Sequence, residues 1–98
     1  PVQVKILPLT DRQAEYAQKI RDILMAHDIR VECDFPSEKL GYKIREAQLE
    51  KIPYMIVVGD KEMENNQVAV RVRKVGDIGT MFLEEFQNRI VKEINEKV

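Results

Sequence analysis

Cationic side chains and one tyrosine stand close together in the middle of the chain, where they could contact nucleic acid. One segment contributes Lys39, Tyr42, Lys43, Arg45 and Lys51, and a later one contributes Arg71, Arg73 and Lys74. Lysine and arginine bind phosphates, and an arginine fork can also bond bidentately to a guanine edge, while an aromatic ring suits an unstacked base. Because Glu38, Glu46 and Glu50 interrupt the first group, an ordinary solvated helix surface is an alternative interpretation of it.

Carboxylates offer a second kind of chemistry. Asp11 and Asp34 follow the first two predicted strands and Asp60 follows the central one, at the edge where α/β sheets bind ligands. Such a group can hold Mg²⁺ beside a phosphoacceptor aspartate, as in receiver domains. Receivers use five βα units and this chain has room for three, which favours capping and turn roles. Glu62, just after the central strand, could instead accept from a base amino group.

Other catalytic constellations are missing from the sequence. The four glycines, at 41, 59, 76 and 79, match neither a dinucleotide-binding nor a Walker A pattern. No nucleophile stands at a recognisable spacing from the single histidine, His27, for which we expect a packing or helix-end role. The single cysteine, Cys33, excludes an internal disulfide, and we expect it in the core or at the edge of a strand.

Size and charge limit the function classes further. Ninety-eight residues, 44% hydrophobic and 34% charged, are typical of one soluble domain. The net charge of −1 means that nucleic-acid binding must rest on local segregation of charge. No run of 18 apolar residues and no signal peptide appear, so we expect a cytoplasmic protein that does not contact membranes. The chain begins at Pro1 rather than at a methionine, as expected for a processed product or for one domain, residues 1–98, excised from a larger protein.

Hydrophobic periodicity predicts the elements that must position these side chains. Alternation predicts strands over 2–7, ended by Pro8, and over 29–34, and a continuous apolar run predicts a central strand over 54–58. Another strand over 68–72 has one apolar and one basic face. Thr10 and Gln13 form a capping box that opens a helix running to about Ala26.

Two more helices complete the predicted chain. One spans about 38–50, with Ser37 as its N-cap, and a C-terminal helix carries Leu83, Phe86, Ile90 and Ile94 on one face. The order β-α-β-α-β-β-α, with right-handed crossovers, predicts a mostly parallel sheet with helices on both faces.

The stretch from 38 to 62 carries a resemblance to a known family. It contains G-Y-K-I-R-E at 41–46, K-I-P-Y at 51–54 and V-V-G-D-K-E at 57–62. These motifs resemble the anticodon-binding domain of threonyl-tRNA synthetases. The similarity runs from the opening P-V-Q-V to Gly79-Thr80-Met81 and Glu84-Glu85-Phe86, so it covers essentially the whole chain.

The resemblance implies an α/β domain of three layers, α/β/α, with a mixed five-stranded sheet, three helices and a short fifth strand near 77–81. It implies a non-catalytic module that binds the anticodon loop of the tRNA for threonine and reads chiefly its second and third bases, G and U. No cofactor is expected in the domain, whereas ATP, magnesium and zinc would serve the catalytic part of a parent ligase that forms a homodimer through other domains. A stand-alone accessory or protein-interaction domain of the same fold is the alternative.

Six residues carry the implied RNA contacts: Ser37, Lys39, Arg45, Lys51, Glu62 and Arg71. The resemblance gives Arg71 and Glu62 to base edges and Lys39 and Lys51 to backbone or bases, while Arg45 contacts RNA or braces the fold. Two positions depart from the family. Ser37 stands where relatives carry an asparagine, and Phe82 stands where a serine-like cap is common, which moves the expected start of the last helix to Thr80.

Overall fold

A computed structural model describes residues 2–34, 44 and 50–96 of the chain. Its sheet has five strands in the order β2-β1-β3-β4-β5. They are β1 (Val4–Pro8), β2 (Val31–Cys33), β3 (Tyr54–Val58), β4 (Gln67–Val72) and β5 (Gly76–Phe82). The strand β1 pairs in parallel with β2 and β3, whereas β4 is antiparallel to both β3 and β5. The mixed sheet is confirmed, and the pattern-based expectation of a mostly parallel one is wrong, because the short connections after β3 and β4 return the chain antiparallel.

The described helices are α1 (Ala14–Met25), entered through a 3₁₀ turn at Asp11–Gln13, α2 (Asp60–Asn65) and α3 (Leu83–Glu96). The predicted capping box is confirmed, since Thr10 Oγ1 accepts from Arg12 N at 3.2 Å and Gln13 Oε1 accepts from Thr10 N at 2.8 Å. The helix predicted over 38–50 lies outside the described residues, except that Ile44 is helical.

The boundary between the last strand and the last helix differs from the expected one. The helix α3 begins at Leu83, so the start expected at Thr80 is wrong. Thr80 belongs to β5, where it pairs with Ala69 of β4. The predicted apolar face is confirmed, because Leu83, Phe86 and Ile90 are buried.

The larger part of the core lies between one face of the sheet, α1 and α3. The sheet contributes valines, isoleucines and Tyr54, and the helices contribute Ala17, Ile20, Leu24, Phe86 and Ile90. The rings of Tyr54 and Phe86 meet edge to face with centroids 5.5 Å apart, a preferred aromatic geometry. We call this side of the sheet the first face.

A smaller cluster covers the second face. Leu7, Ile52 and Met55 are buried there, and Val2, Ile44 and Val57 pack against them. Burial on both faces explains why β1 is buried along its whole length, although its alternating sequence predicted a half-buried strand. Lys5, in the middle of β1, is only 4% exposed. None of the described helices is both long and apolar enough to cross a bilayer.

Candidate nucleic-acid interface

The structure describes three of the six predicted contact residues: Lys51, Glu62 and Arg71. Ser37, Lys39 and Arg45 lie outside the described residues. The three described residues are placed by β3 and its neighbours. Lys51 precedes this strand, Glu62 follows it in α2, and Arg71 stands beside it in β4.

Arg71 lies on the second face of the sheet. It is directly opposite Met55 in the antiparallel β3–β4 pair, and opposed residues share a face. The register between β4 and β5 shifts immediately after Val70, an irregularity of the kind that re-aims a side chain. The sequence prediction of a basic side chain on the face away from Val68 and Val70 is thereby confirmed for Arg71.

The guanidinium of Arg71 carries an unused donor. Its side chain is half-buried, and Nε is buried with no hydrogen-bond partner within the part of the chain that the structure describes. A buried donor without an acceptor costs about 1–3 kcal/mol. An acceptor supplied from outside the chain would remove this cost, which is the arrangement expected of a ligand-contacting arginine.

Lys51 is exposed and its backbone is constrained. It has φ of 64°, a left-handed conformation that costs an L-residue other than glycine about 1–2 kcal/mol. Its neighbours fix it on both sides, because Ile52 is buried and the Glu50 carboxylate lies 3.7 Å from Lys5 Nζ. The fold therefore determines the direction in which the Lys51 side chain leaves the backbone at the start of β3.

Glu62 lies beyond the other end of β3. Its Oε1 accepts from Gly59 N at 2.8 Å and so caps α2. A side chain at Gly59 would meet Leu9 Cδ1 at 2.9 Å and Glu62 Oε1 at 3.1 Å, which explains the glycine there. Its second oxygen, Oε2, accepts no hydrogen bond recorded among the described residues and is open to another donor. Four residues along β3, about 13 Å, separate Gly59 from Met55 beside Arg71, so Glu62 and Arg71 lie toward opposite ends of this strand.

Tyr16 fastens the end of the sheet near Glu62. Its hydroxyl donates to Gln67 O at 2.7 Å, which joins α1 to the start of β4. Burial, with the Glu62 charge adding to it, raises the pKa of Tyr16 to about 12. The hydroxyl therefore remains a donor across the neutral range.

The aspartates proposed for a phosphoacceptor site are engaged in ion pairs or scattered. Asp60 accepts from Arg12 Nη2 at 2.8 Å and Arg12 Nε at 3.2 Å, and also from Gln13 Nε2. Asp34 Oδ2 lies 3.8 Å from Lys5 Nζ. Among residues 2–34, 44 and 50–96, no three histidine, cysteine or carboxylate side chains are grouped to hold a metal ion. The receiver hypothesis is therefore not favoured.

Lys5 is the charged residue whose environment the sequence did not predict. It was expected on the polar side of a half-buried strand, yet its ammonium is buried between Asp34 and Glu50. The placement of β1 between two parallel neighbours would have predicted this burial, because such a strand is covered on both faces. Lys5, Met55 and Arg71 follow one another across the second face, with the first cation paired and the last one free of described partners.

The histidine and the cysteine have structural surroundings. His27 is exposed beyond the end of α1, and its Nε2 lies 2.7 Å from Gln87 Nε2 in α3. Of the packing or helix-end role expected for it, the structure supports the second, because α1 ends at Met25 and His27 N donates to Leu24 O at 3.0 Å in the turn that follows. Cys33 is half-buried at the edge strand, as expected, and donates to Ala17 O at 3.6 Å. Burial raises the pKa of its thiol.

Comparison with known proteins identifies the family to which the chain is similar. A family model described as the anticodon binding domain matches residues 3–93. Threonine–tRNA ligases from Acetivibrio thermocellus and Clostridium novyi are 60% and 58% identical over 97 residues, which is 99% of this chain and 15% of theirs. The chain thus spans about 15% of the length of these curated relatives.

Solved structures agree. The RNA binding domain of threonyl-tRNA synthetase from Cryptosporidium parvum Iowa II is 26% identical with a TM-score of 0.83, over 91% of this chain and 22% of that one. Histidyl-tRNA synthetase from Nostoc sp. PCC 7120, at 18% identity and a TM-score of 0.87 over 96% of this chain and 23% of that one, shares the fold. The family resemblance found in the sequence is confirmed. The chain belongs to the family of anticodon-binding domains.

Proposed function

We propose that the chain binds the anticodon loop of the tRNA for threonine as one domain of a threonine–tRNA ligase. The unused, buried Nε of Arg71 carries this proposal, because it is a donor that an RNA acceptor would satisfy. The family assignment and the relatives' names support the same partner.

Arg71 would contact a base edge within the loop. Its planar fork can bond bidentately to guanine, as the second anticodon base of threonine tRNAs allows, and lysine cannot reproduce this geometry. Glu62 would accept from a base amino group through the oxygen that does not cap α2. Lys51 would contact the backbone, and Ser37, Lys39 and Arg45 would complete the site from the segment before it.

The chemistry of aminoacylation would belong to the rest of the parent protein. ATP, magnesium and zinc would act in its catalytic part, and the homodimer would form through other domains. The parent would work in the cytoplasm. This domain would contribute affinity for one tRNA and discrimination against others.

Binding of short RNA hairpins tests the proposal. The chain should bind an anticodon stem-loop with G and U at the second and third positions more tightly than loops altered at either base, by about 1–3 kcal/mol per base. In Arg71→Met this preference should shrink at one of the two positions. Arg21→Met, on α1, removes the same charge and is the control that should keep the preference. Equal affinity of the chain for all three loops would refute the proposed function.

A further inference from the structure

A cavity of about 230 Å³ opens near the amino end of β3. Of the predicted RNA contacts that the structure describes, Lys51 is the one that lines it. Its lining residues are Lys51, Pro53, Tyr54, Val72, Arg73 and Glu93. Lys51 and Arg73 thus approach one space from two sides. The sequence pattern counted Arg73 among the cations that could contact nucleic acid, but the resemblance gave it no RNA contact.

Arg73 is held in place by the sheet although β4 ends at Val72. Its backbone N donates to Pro53 O at 2.9 Å, which continues the β3–β4 ladder one step beyond the pair formed by Tyr54 and Val72. Lys51 precedes Pro53 by two residues, with its backbone held in the left-handed region. Both cations are therefore positioned by backbone that is fixed before any ligand arrives.

Neither cation is neutralised by the described part of the chain. The ion pairs found there involve Lys5, Arg12, Arg21 and Lys92, and Lys51 and Arg73 are in none of them. Two unpaired cations that share a cavity attract an anion, and a phosphodiester is the anion that RNA supplies.

The carboxylate in the cavity wall is bonded to another lining residue, Tyr54. Tyr54 donates its hydroxyl to Glu93, and Arg89 also lies against Tyr54. Glu93 is half-buried and ties α3 to the start of β3. Its charge opposes an anion in the cavity, so its removal gives a sharp test of what the cavity holds.

We infer that Lys51 and Arg73 form a phosphate subsite for the nucleotide next to the one that Arg71 contacts. This inference rests on the proposed function and deepens it. Arg71 and Arg73 are two residues apart, about 7 Å along the strand, so one RNA strand can contact both. Arg71 would distinguish bases, while Lys51 and Arg73 would hold the backbone whatever the sequence.

A scan of neutralised phosphates tests the subsite. Hairpins carrying a single methylphosphonate, one at each loop position in turn, are titrated against the chain and against Arg73→Met. At one position the methylphosphonate should weaken binding of the unsubstituted chain and have little further effect on Arg73→Met, as a double-mutant cycle requires of two groups in contact. The logarithmic salt slope should fall by about 0.7 in Arg73→Met, with equal loss of affinity for every loop sequence.

A charge-removing variant distinguishes a phosphate from a base in the cavity. Glu93→Gln keeps an acceptor for Tyr54 and removes the negative charge, so a phosphate should bind as tightly or more tightly. A base amino group held by Glu93 would be lost in the same variant. Glu96→Gln, beside Lys92 on α3, changes the net charge equally and is the control.

The two proposals fail differently. In one outcome the chain distinguishes anticodon loops and Arg71→Met reduces that preference, yet every methylphosphonate lowers the affinity of Arg73→Met as much as that of the unsubstituted chain. The phosphate subsite is then wrong and the proposed function stands. If the unsubstituted chain shows no preference among loops, the proposed function itself is wrong. Weaker binding by Glu93→Gln than by Glu96→Gln would also overturn the phosphate assignment.

Discussion

The described cations compared at the two ends of β3 differ in whether they form ion pairs. Beyond the strand's carboxyl end, Arg12 bonds to Asp60 through two nitrogens, and Gln13 bonds to the same carboxylate. We call Thr10, Arg12, Gln13 and Asp60 the Arg12–Asp60 network. Around the strand's amino end, Lys51, Arg71 and Arg73 have no ion-pair partner among the described residues; we call them the cation group.

The difference shows which end is available to a ligand. The crevice at the carboxyl ends of parallel strands is where α/β sheets usually bind ligands. Here the Arg12–Asp60 network fills that position between β1 and β3, so its side chains are already bonded to one another. Among the described residues, the buried side-chain donor that lacks an acceptor is Arg71 Nε, which belongs to the cation group. We therefore expect the Arg12–Asp60 network to determine stability and the cation group to supply most of the RNA binding, with Glu62 as the proposed contact from the carboxyl end.

The largest effect should follow from Gln13→Ala. The Gln13 side chain is 1% exposed, and its Oε1 accepts from Thr10 N at 2.8 Å and Thr10 Oγ1 at 3.0 Å while its amide donates to Asp60. Removing these buried bonds should lower the free energy of unfolding by about 2–3 kcal/mol, measured by urea unfolding. Gln18→Ala, at an exposed position of α1, should change it by less than about 0.5 kcal/mol.

The RNA affinity of folded Gln13→Ala provides the contrast. It should equal that of the unsubstituted chain, because the network contributes no contact to RNA. A large loss of affinity with little loss of stability would show that the Arg12–Asp60 network takes part in binding, and its separation from the cation group would be wrong.

Arg71→Met should have the opposite pattern to Gln13→Ala, with stability kept or raised and recognition of RNA weakened. Methionine fills similar space opposite Met55 and removes a buried donor that has no partner among the described residues, so the free energy of unfolding should rise by up to about 1 kcal/mol. The comparison variant is Arg12→Met, which breaks an ion pair and should lower stability. Urea unfolding of both variants measures the difference. A clear loss of stability in Arg71→Met would show that its guanidinium braces the fold.

Lys51→Gly separates stability from binding at one position. Glycine adopts φ near 64° without the steric cost that lysine pays, so thermal unfolding should show a gain of about 0.5–1 kcal/mol. RNA binding should weaken, with the logarithmic salt slope falling by about 0.7. The matched control is Lys74→Gly, since Lys74 has φ of 72° and is exposed. It should gain similar stability and keep its RNA affinity, and equal losses of affinity in the two variants would contradict a specific role for Lys51.

Most of the sheet was predictable because its signals are local. The continuous apolar run of β3, the alternation of β4 and the apolar face of α3 each lie within one element, and the structure confirms them. The helix α2 was missed because it is six residues long and buries none of them, so it leaves no hydrophobic period. The mixed direction of the sheet came from the family resemblance rather than from the pattern.

The candidate site was predictable in composition but not in pairing. The sequence identified the cations, yet it could not tell that Arg12 is paired and Arg73 unpaired. Arg12 meets Asp60 across 48 residues, and such contacts exist only once the sheet has formed. The same holds for Lys5, whose burial depends on neighbours in β2 and β3. Which cations remain free for RNA is a property of the fold.

The smallest effect concerns the loss of folding stability at acid pH. Hydrogen bonds from Arg12 and then Gln13, together with the Arg12 charge, lower the pKa of Asp60 below its ordinary value. A carboxyl group with a depressed pKa in the folded state contributes stability above its unfolded pKa, near 4, and loses that contribution as the pH falls through the folded value. Urea unfolding between pH 7 and pH 3 should therefore show a steeper acid loss for the unsubstituted chain than for Asp60→Asn. Because the pair is exposed, the difference should shrink at high salt. Parallel curves for the two proteins would mean that the Arg12–Asp60 network does not stabilise the carboxyl end of β3, and the contrast with the cation group would then rest on Gln13 alone.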